Sequence, residues 1–141
     1  MCSSDLAASH CSVGVVHAFA HGVAAWGVSH AAGNATALAA GLRANRSAPA
    51  LGRLARRVGL GTADELEAKV QRIAATAAAS FDRGCVLERL SDASERTQLI
   101  ERMTKDPCLR TNPVRLGAVE LEAFLQDVTG NPAQQIGRAH V

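Results

Sequence analysis

The sequence has few aromatic residues and little net charge. Aromatic residues make up 3% of its 141 residues, tyrosine is missing, and the formal net charge is only +2. Nucleic-acid binding depends on clustered positive charge and often on aromatic stacking, so this composition argues against a nucleic-acid partner. A basic stretch does occur, but no aromatic residues interleave with it, and we interpret it as a solvated helix face: Arg43, Arg46, Arg53, Arg56 and Arg57.

The sequence also lacks a long apolar run, a paired-cysteine motif and a glycine-rich phosphate loop. No segment reaches the roughly 18 apolar residues that a membrane span needs, so no membrane contact is expected. The four cysteines, Cys2, Cys11, Cys85 and Cys108, form no C-x-x-C pair, and the N-terminus has no signal-peptide pattern. We therefore expect reduced thiols, a cytoplasmic location and no dinucleotide binding by this chain itself.

The two ends of the sequence do not resemble the rest of it. Residues 1–6 and 136–141 match translations of the two strands of one common sequencing-adapter oligonucleotide, and such segments are excluded from fold reasoning. The sequence is accordingly divided into an adapter-derived tail at 1–6, a helical domain at 7–130 and a tail at 131–141. We expect the domain to be incomplete at its N-terminal side.

Apolar periodicity and frequent alanine predict an all-α domain of about six helices, with no strand. The predicted helices cover 12–25, 30–45, 49–57, 62–79, a segment that begins at Asp92, and 116–128. The segment 107–113 is expected to be irregular, because two prolines forbid a continuous helix there. The predicted inward faces are Leu66, Val70, Ile73 and Ala77; Leu99, Ile100 and Met103; and Val119, Leu121, Leu125 and Val128.

Three histidines fall on the first two predicted helices. His17 and His21 are one helical turn apart and share a face, and His30 follows a turn at the start of the next helix. Neutral imidazoles suit Fe(II), Zn(II) and similar ions. The structural alternative is that these rings are satisfied by backbone or solvent. Because the helices are otherwise apolar and each buried ring needs a partner, we favour a metal site.

The histidine pattern, together with Gly33-Asn34-Ala35 and the segment 106–113 (Asp-Pro-Cys-Leu-Arg-Thr-Asn-Pro), resembles the C-terminal helical domain of the iron-containing alcohol dehydrogenases. The resemblance runs over about residues 7–129 and implies the dehydroquinate synthase-like helical fold of that domain. It implies that His17 and His30 are metal ligands. It also implies that His21 lies beside the nicotinamide and relays the alcohol proton, making it both catalytic and cofactor-binding.

The resemblance extends to the substrate pocket. It places Cys108 in the pocket wall, as a contact and not as a nucleophile. Ala8 stands where relatives often have a large aromatic residue, so a wider pocket is implied. The expected substrate is a small alcohol or aldehyde.

The resemblance further implies a parent protein that uses NAD or NADP and Fe(II), Zn(II) or another divalent metal. A dinucleotide-binding α/β domain and the remaining metal ligands would lie upstream. We therefore expect this chain alone to bind metal weakly and to be inactive, with parts of Val13, Val16, Phe19 and Trp26 facing solvent or a thin layer of other helices.

Two other classes remain open, an inactive fragment and a stand-alone helical interaction module. A glycerol dehydrogenase or dehydroquinate synthase relative would share the histidine pattern, but the segment 106–113 argues against it.

Overall fold

The computed structural model describes residues 14–130, and all regular secondary structure in that range is helical, which confirms the all-α prediction. The helices are α1 Val15–Ala24, α2 His30–Ala44, α3 Pro49–Arg57, α4 Ala63–Ala78, α5 Gly84–Ser91, α6 Ala93–Lys105, the 3-10 helix Pro107–Thr111 and α7 Ala118–Thr129. Within the same range, no helix is long and apolar enough to cross a membrane. Both predicted tails lie outside the described residues, as do Ala8, Cys2 and Cys11.

Three helices begin at side-chain caps that the sequence predicts. The side chains of Ser29, Thr62 and Asp92 each accept a hydrogen bond from the backbone N–H three residues later, at 3.3, 3.2 and 2.9 Å. Each bond satisfies one of the N–H groups that the first turn of a helix leaves unpaired. These caps fix the starts of α2, α4 and α6.

Helix α1 runs through the core. Phe19 is fully buried and meets the ring of Phe124 edge to face, with ring centroids 5.9 Å apart. Of the two expected surroundings of Phe19, solvent is excluded, because α2, α6 and the 3-10 helix all contact α1 and cover it. Val16 and Trp26 are partly buried, and Val13 lies outside the described residues.

The structure contains one helix and one 3-10 turn that the sequence does not predict. Helix α5 begins at Gly84, in a segment for which the sequence predicts no helix, and its Val86 and Leu90 enter the core. The segment expected to be irregular contains the 3-10 helix, because proline is tolerated in a first helical turn, where its missing N–H would be unpaired anyway.

Two residues predicted to face inward are exposed. Val119 is 79% exposed and Ile73 is 56% exposed. In α7 the buried stripe consists of Leu121, Phe124, Leu125 and Val128. Since each residue turns the helix by about 100°, Val119 lies on the far side from Leu121, and Ile73 is rotated away from the buried Ala74.

Candidate metal centre

Glycines bring α1 and α2 unusually close together. A Cβ atom added to Gly33 would lie 2.9 Å from the Cα atom of Ala20, and one added to Gly41 would lie 2.1 Å from Cγ2 of Val16. Real Cβ atoms do not come this close to other atoms, so these backbones can approach only where one helix has no side chain. The first turn of α2, which carries His30, is thereby held against the middle of α1.

The connection between α1 and α2 is a short, defined turn. Gly27 has φ +79°, in the left-handed region that glycine enters without strain. Ser29 then caps α2, so that His30 is the first residue of that helix. The turn reverses the chain and returns His30 towards the two histidines of α1.

The three histidines meet at this point. The ring centroids of His17 and His30 are 4.3 Å apart, those of His17 and His21 are 4.8 Å apart, and those of His21 and His30 are 5.4 Å apart. One ring nitrogen from each residue lies within 4.8 Å of the other two. His17 is partly buried, whereas His21 and His30 are exposed. The structure thus brings together all three residues singled out in the sequence, and the ligand roles of His17 and His30 and the proton-relay role of His21 stay predictions.

Asp106 joins this cluster from the other end of the chain. Nδ1 of His21 lies 2.8 Å from Oδ2 of Asp106. The second carboxylate oxygen, Oδ1, accepts the backbone N–H of Cys108 at 2.8 Å, because Asp106 caps the 3-10 helix. An ionised carboxylate only accepts hydrogen bonds, so Nδ1 of His21 is the donor in this contact, and in the neutral form of the ring the lone pair is on Nε2.

Sequence reasoning gave no role to Asp106. Its position directly before Pro107 is typical of a helix cap, because aspartate is favoured at the cap and proline at the first helical position. The contact with His21 spans 85 positions of sequence and depends on the packing of α1 against α6 and the 3-10 helix. No local pattern predicts such a contact.

Burial and neighbouring charges set the protonation of the cluster. Burial lowers the pKa of His17, and the nearby His30 and His21 lower it further, so its imidazole is neutral at pH 7. Burial alone would raise the pKa of Asp106, but hydrogen bonds from the Cys108 N–H and from His21 outweigh it and lower that pKa. A neutral imidazole and an ionised carboxylate therefore coexist there at neutral pH.

Cys108 lies beside the same carboxylate. Burial, together with the hydrogen bond and negative charge of Asp106, raises the pKa of the Cys108 thiol to about 11. The group is a neutral thiol at physiological pH, which suits a contact in a pocket wall better than a nucleophile. Donor atoms of His21, Asp106 and Cys108 also lie within 4.8 Å of one another.

An asparagine pair ties the segment 106–113 to both ends of the α1–α2 hairpin. Oδ1 of Asn112 accepts the backbone N–H of Val15 at 3.0 Å and the side-chain amide of Asn45 at 3.1 Å. In return, Nδ2 of Asn112 donates to Oδ1 of Asn45 at 2.7 Å. A Cβ atom at Gly14 would lie 2.5 Å from Oδ1 of Asn112, so glycine is needed there.

The donor set fits a divalent transition metal. Three imidazoles are a common protein contribution to a catalytic zinc site, where the remaining position takes water or substrate, and imidazole also suits Fe(II). No family model, curated protein or solved structure matches this chain. Function is therefore inferred from the histidine cluster and from the segment that meets it at Asp106.

Proposed function

We propose that this chain is the metal-binding helical part of an NAD(P)-linked, metal-dependent alcohol dehydrogenase or aldehyde reductase of the iron-containing type. The observation that carries the proposal is the 2.8 Å contact between His21 and Asp106. The two segments on which the resemblance rests are far apart in sequence, and they meet at this contact. The all-helical fold is consistent with the dehydroquinate synthase-like domain that we assign to it.

In this proposal His17 and His30 hold the metal, together with ligands from an upstream part of the parent protein. When bound, Fe(II) or Zn(II) supplies a Lewis acid that polarises the substrate oxygen. As the resemblance implies, His21 would lie beside the nicotinamide and would accept the alcohol proton at Nε2, while Asp106 would fix the ring through Nδ1 and stabilise the imidazolium. The hydride acceptor would be NAD or NADP.

Cys108 forms part of the wall of the substrate pocket. Its neutral thiol adds a small, weakly polar surface two residues from the carboxylate that orients His21. Such a wall suits the carbon chain of a small alcohol or aldehyde. The α/β dinucleotide-binding domain lies in the upstream part of the parent, which we place in the cytoplasm, and the chain alone is inactive.

The test begins with the coding sequence upstream of Leu6 in the source genome. The proposal expects one continuous frame that encodes a glycine-rich turn and an Asp-x3-His pair. The extended protein, loaded with Fe(II) or Zn(II), should reduce NAD or NADP with small alcohols. His21→Ala should lower kcat by roughly 10²–10⁴-fold, the usual contribution of a positioned acid or base.

The matched control is Arg57→Ala, an exposed substitution on α3 that should leave kcat unchanged. An upstream frame without these motifs, or an extended metal-loaded protein that does not reduce either nucleotide, would contradict the dehydrogenase assignment. Equal activity of the extended protein and its His21→Ala variant would contradict the role given to His21.

A stand-alone helical interaction module is the second candidate. It is favoured by large apolar side chains that stay exposed on α3, α4 and α7, namely Leu54, Val58, Ile73 and Val119. This candidate predicts a chain that melts sharply as a monodisperse monomer without metal. The dehydrogenase proposal instead predicts an incomplete domain that aggregates or melts broadly, so a thermal melt combined with light scattering separates the two.

A further inference from the structure

We propose that a groove beside the 3-10 helix binds a small phosphate monoester, with Arg110 and Arg115 as the groups that hold its phosphate. The groove has a volume of about 540 Å³, and its walls come from α6, the 3-10 helix and the loop before α7. The side chains that line it include Thr104, Leu109, Arg110, Pro113, Arg115 and Leu116. The inference is independent of the proposed function, because no residue of the histidine cluster lines the groove.

The size and composition of the groove are those of a small-molecule site. Ligand pockets have volumes of about 300–1,000 Å³ and combine an apolar lining with a few charged or polar groups. Leu109 and Leu116 supply the apolar part, and both pack against the hydrophobic core. Arg110 and Arg115 are exposed, so their guanidinium groups can turn towards a ligand in the groove.

The charge of the groove is uniformly positive. Among residues 14–130, no carboxylate lines it and neither arginine forms an ion pair. The carboxylates nearest to the two arginines in sequence have other partners. Asp106 faces His21, and Glu120 accepts the backbone N–H of Gly117 at 2.9 Å. Both guanidinium groups can therefore serve an anion.

Two arginines favour a phosphate over a singly charged carboxylate. A guanidinium group presents its N–H donors in a planar fork that matches two phosphate oxygens, and such charge-assisted hydrogen bonds are roughly twice as strong as neutral ones. A phosphate monoester carries about 1.5–2 negative charges at neutral pH, which two guanidinium groups balance. The carbon chain of the ester would lie against Leu109 and Leu116.

The loop that carries Arg115 is already ordered by the asparagine pair. Oδ1 of Asn45 accepts the backbone N–H of Val114 at 3.2 Å, and Nδ2 of Asn112 donates to the Val114 carbonyl at 2.7 Å. Asn112 also lines the groove. Because the backbone is held in this way, binding has to order side chains only, and this reduces the entropy that is lost.

The arginines of α3 form a poorer anion site. Arg53, Arg56 and Arg57 also line a groove, but every residue that lines it belongs to α3. The surface of one helix offers no opposing wall, so it would bury little of a ligand. The groove beside the 3-10 helix has walls from three parts of the chain.

The test is calorimetric titration of the whole chain with butyl phosphate, in the presence of a chelator so that no metal at the histidine cluster contributes. Arg110→Ala and Arg115→Ala should each weaken binding by at least about threefold. Arg110→Lys keeps the charge but not the fork, and it should weaken binding as well. The matched control is Lys105→Ala, which removes an exposed positive charge from outside the groove and should change the affinity by less than about twofold.

Two further ligands test the chemical class. Inorganic phosphate lacks the carbon chain and should bind at least about fourfold more weakly than butyl phosphate, the equivalent of one buried methylene group. Butyrate keeps a carbon chain but has a single charge, and it should also bind more weakly. Both arginines are exposed, so their variants should fold, and circular dichroism spectra check this.

The inference is overturned if butyl phosphate does not bind, if Lys105→Ala weakens binding as much as the arginine substitutions do, or if butyrate binds more tightly. None of these outcomes affects the proposed function, whose test depends on the upstream frame and on His21.

Discussion

The ring nitrogen Nδ1 of His21 lies 2.8 Å from Oδ2 of Asp106, across 85 positions of sequence. The contact exists because α1 and α6 pack tightly beside it. A Cβ atom at Gly22, the residue after His21, would lie 2.4 Å from Cδ1 of Leu99 on α6. The cluster is therefore a product of helix packing, and substitutions that separate the helices should disturb the histidines even where they touch none of them.

Gly33→Ala should destabilise the fold and weaken metal binding together. The added methyl group would overlap the backbone of Ala20, which cannot move aside as a flexible side chain does. Overpacking of this kind costs about 1–3 kcal/mol, and the shift of α2 would also displace His30. Urea unfolding and zinc calorimetry on the same preparation would measure both effects.

Gly52→Ala is the matched control for this prediction. Gly52 lies in the interior of α3, and the nearest atom to an added Cβ would be Nη1 of Arg56 at 3.7 Å. Replacing an unconstrained helix glycine by alanine should raise the free energy of unfolding by about 0.5–1 kcal/mol. A Gly33→Ala variant as stable as Gly52→Ala would show that α1 and α2 are not in close contact.

Asn112→Ala should cost about 1–3 kcal/mol of unfolding free energy, because it leaves the Val15 N–H without its partner and removes both hydrogen bonds between Asn112 and Asn45. Chemical denaturation measures this cost. Gln98→Ala is the control, since Gln98 is exposed and, among residues 14–130, its side chain forms one hydrogen bond, to Ser94 at 3.4 Å. This substitution should change stability by less than about 0.5 kcal/mol. Equal effects of the two substitutions would contradict the bridging role of Asn112.

Much of the fold follows from local sequence signals. The caps at Ser29, Thr62 and Asp92 mark helix starts because each side chain satisfies backbone N–H groups a few residues away. The inward positions of Ile73 and Val119 were predicted wrongly, because hydrophobicity alone does not determine which side of a helix the core covers. Burial of Phe19 likewise depends on helices that follow it in the chain.

The candidate metal centre also combines features that the local sequence predicts with a contact that depends on tertiary packing. The i, i+4 spacing of His17 and His21, and a turn before His30, are sequence features that already place three rings near one another. The part played by Asp106 comes from tertiary packing. The histidine cluster could thus be predicted from the sequence, whereas the carboxylate that orients His21 could not.

A pair of substitutions on α7 tests the corrected assignment of its buried face. Leu125→Ala removes a fully buried side chain and should cost about 2–5 kcal/mol. Val119→Ala removes an exposed β-branched side chain, and it should leave stability unchanged or raise it by up to about 0.5 kcal/mol. Thermal melts of the two variants would contradict the assignment if Val119→Ala proved the more damaging.

Alkylation of Cys108 should be slow in the native protein and strongly pH-dependent. With its pKa raised to about 11, the fraction of reactive thiolate stays small near neutral pH and should rise about tenfold per pH unit up to about pH 10. In denaturant the same thiol should reach its maximum rate at lower pH. Peptide mapping after iodoacetamide pulses measures the alkylation rate of Cys108 in the native and in the denatured protein. The exposed Cys85 serves as an internal comparison. A native rate that levels off near pH 9 would contradict the effect of burial beside Asp106.

The most direct test of the metal site is the anomalous difference map of crystals grown from the zinc-loaded chain. We expect one zinc peak between α1 and the start of α2, with one ring nitrogen each of His17 and His30 at about 2.0–2.1 Å and with His21 beside the ion but not bound to it. Nδ1 of His21 should still face Asp106. A peak that is not bound by His17 and His30, or one that is bound by His21, would contradict the proposed metal centre.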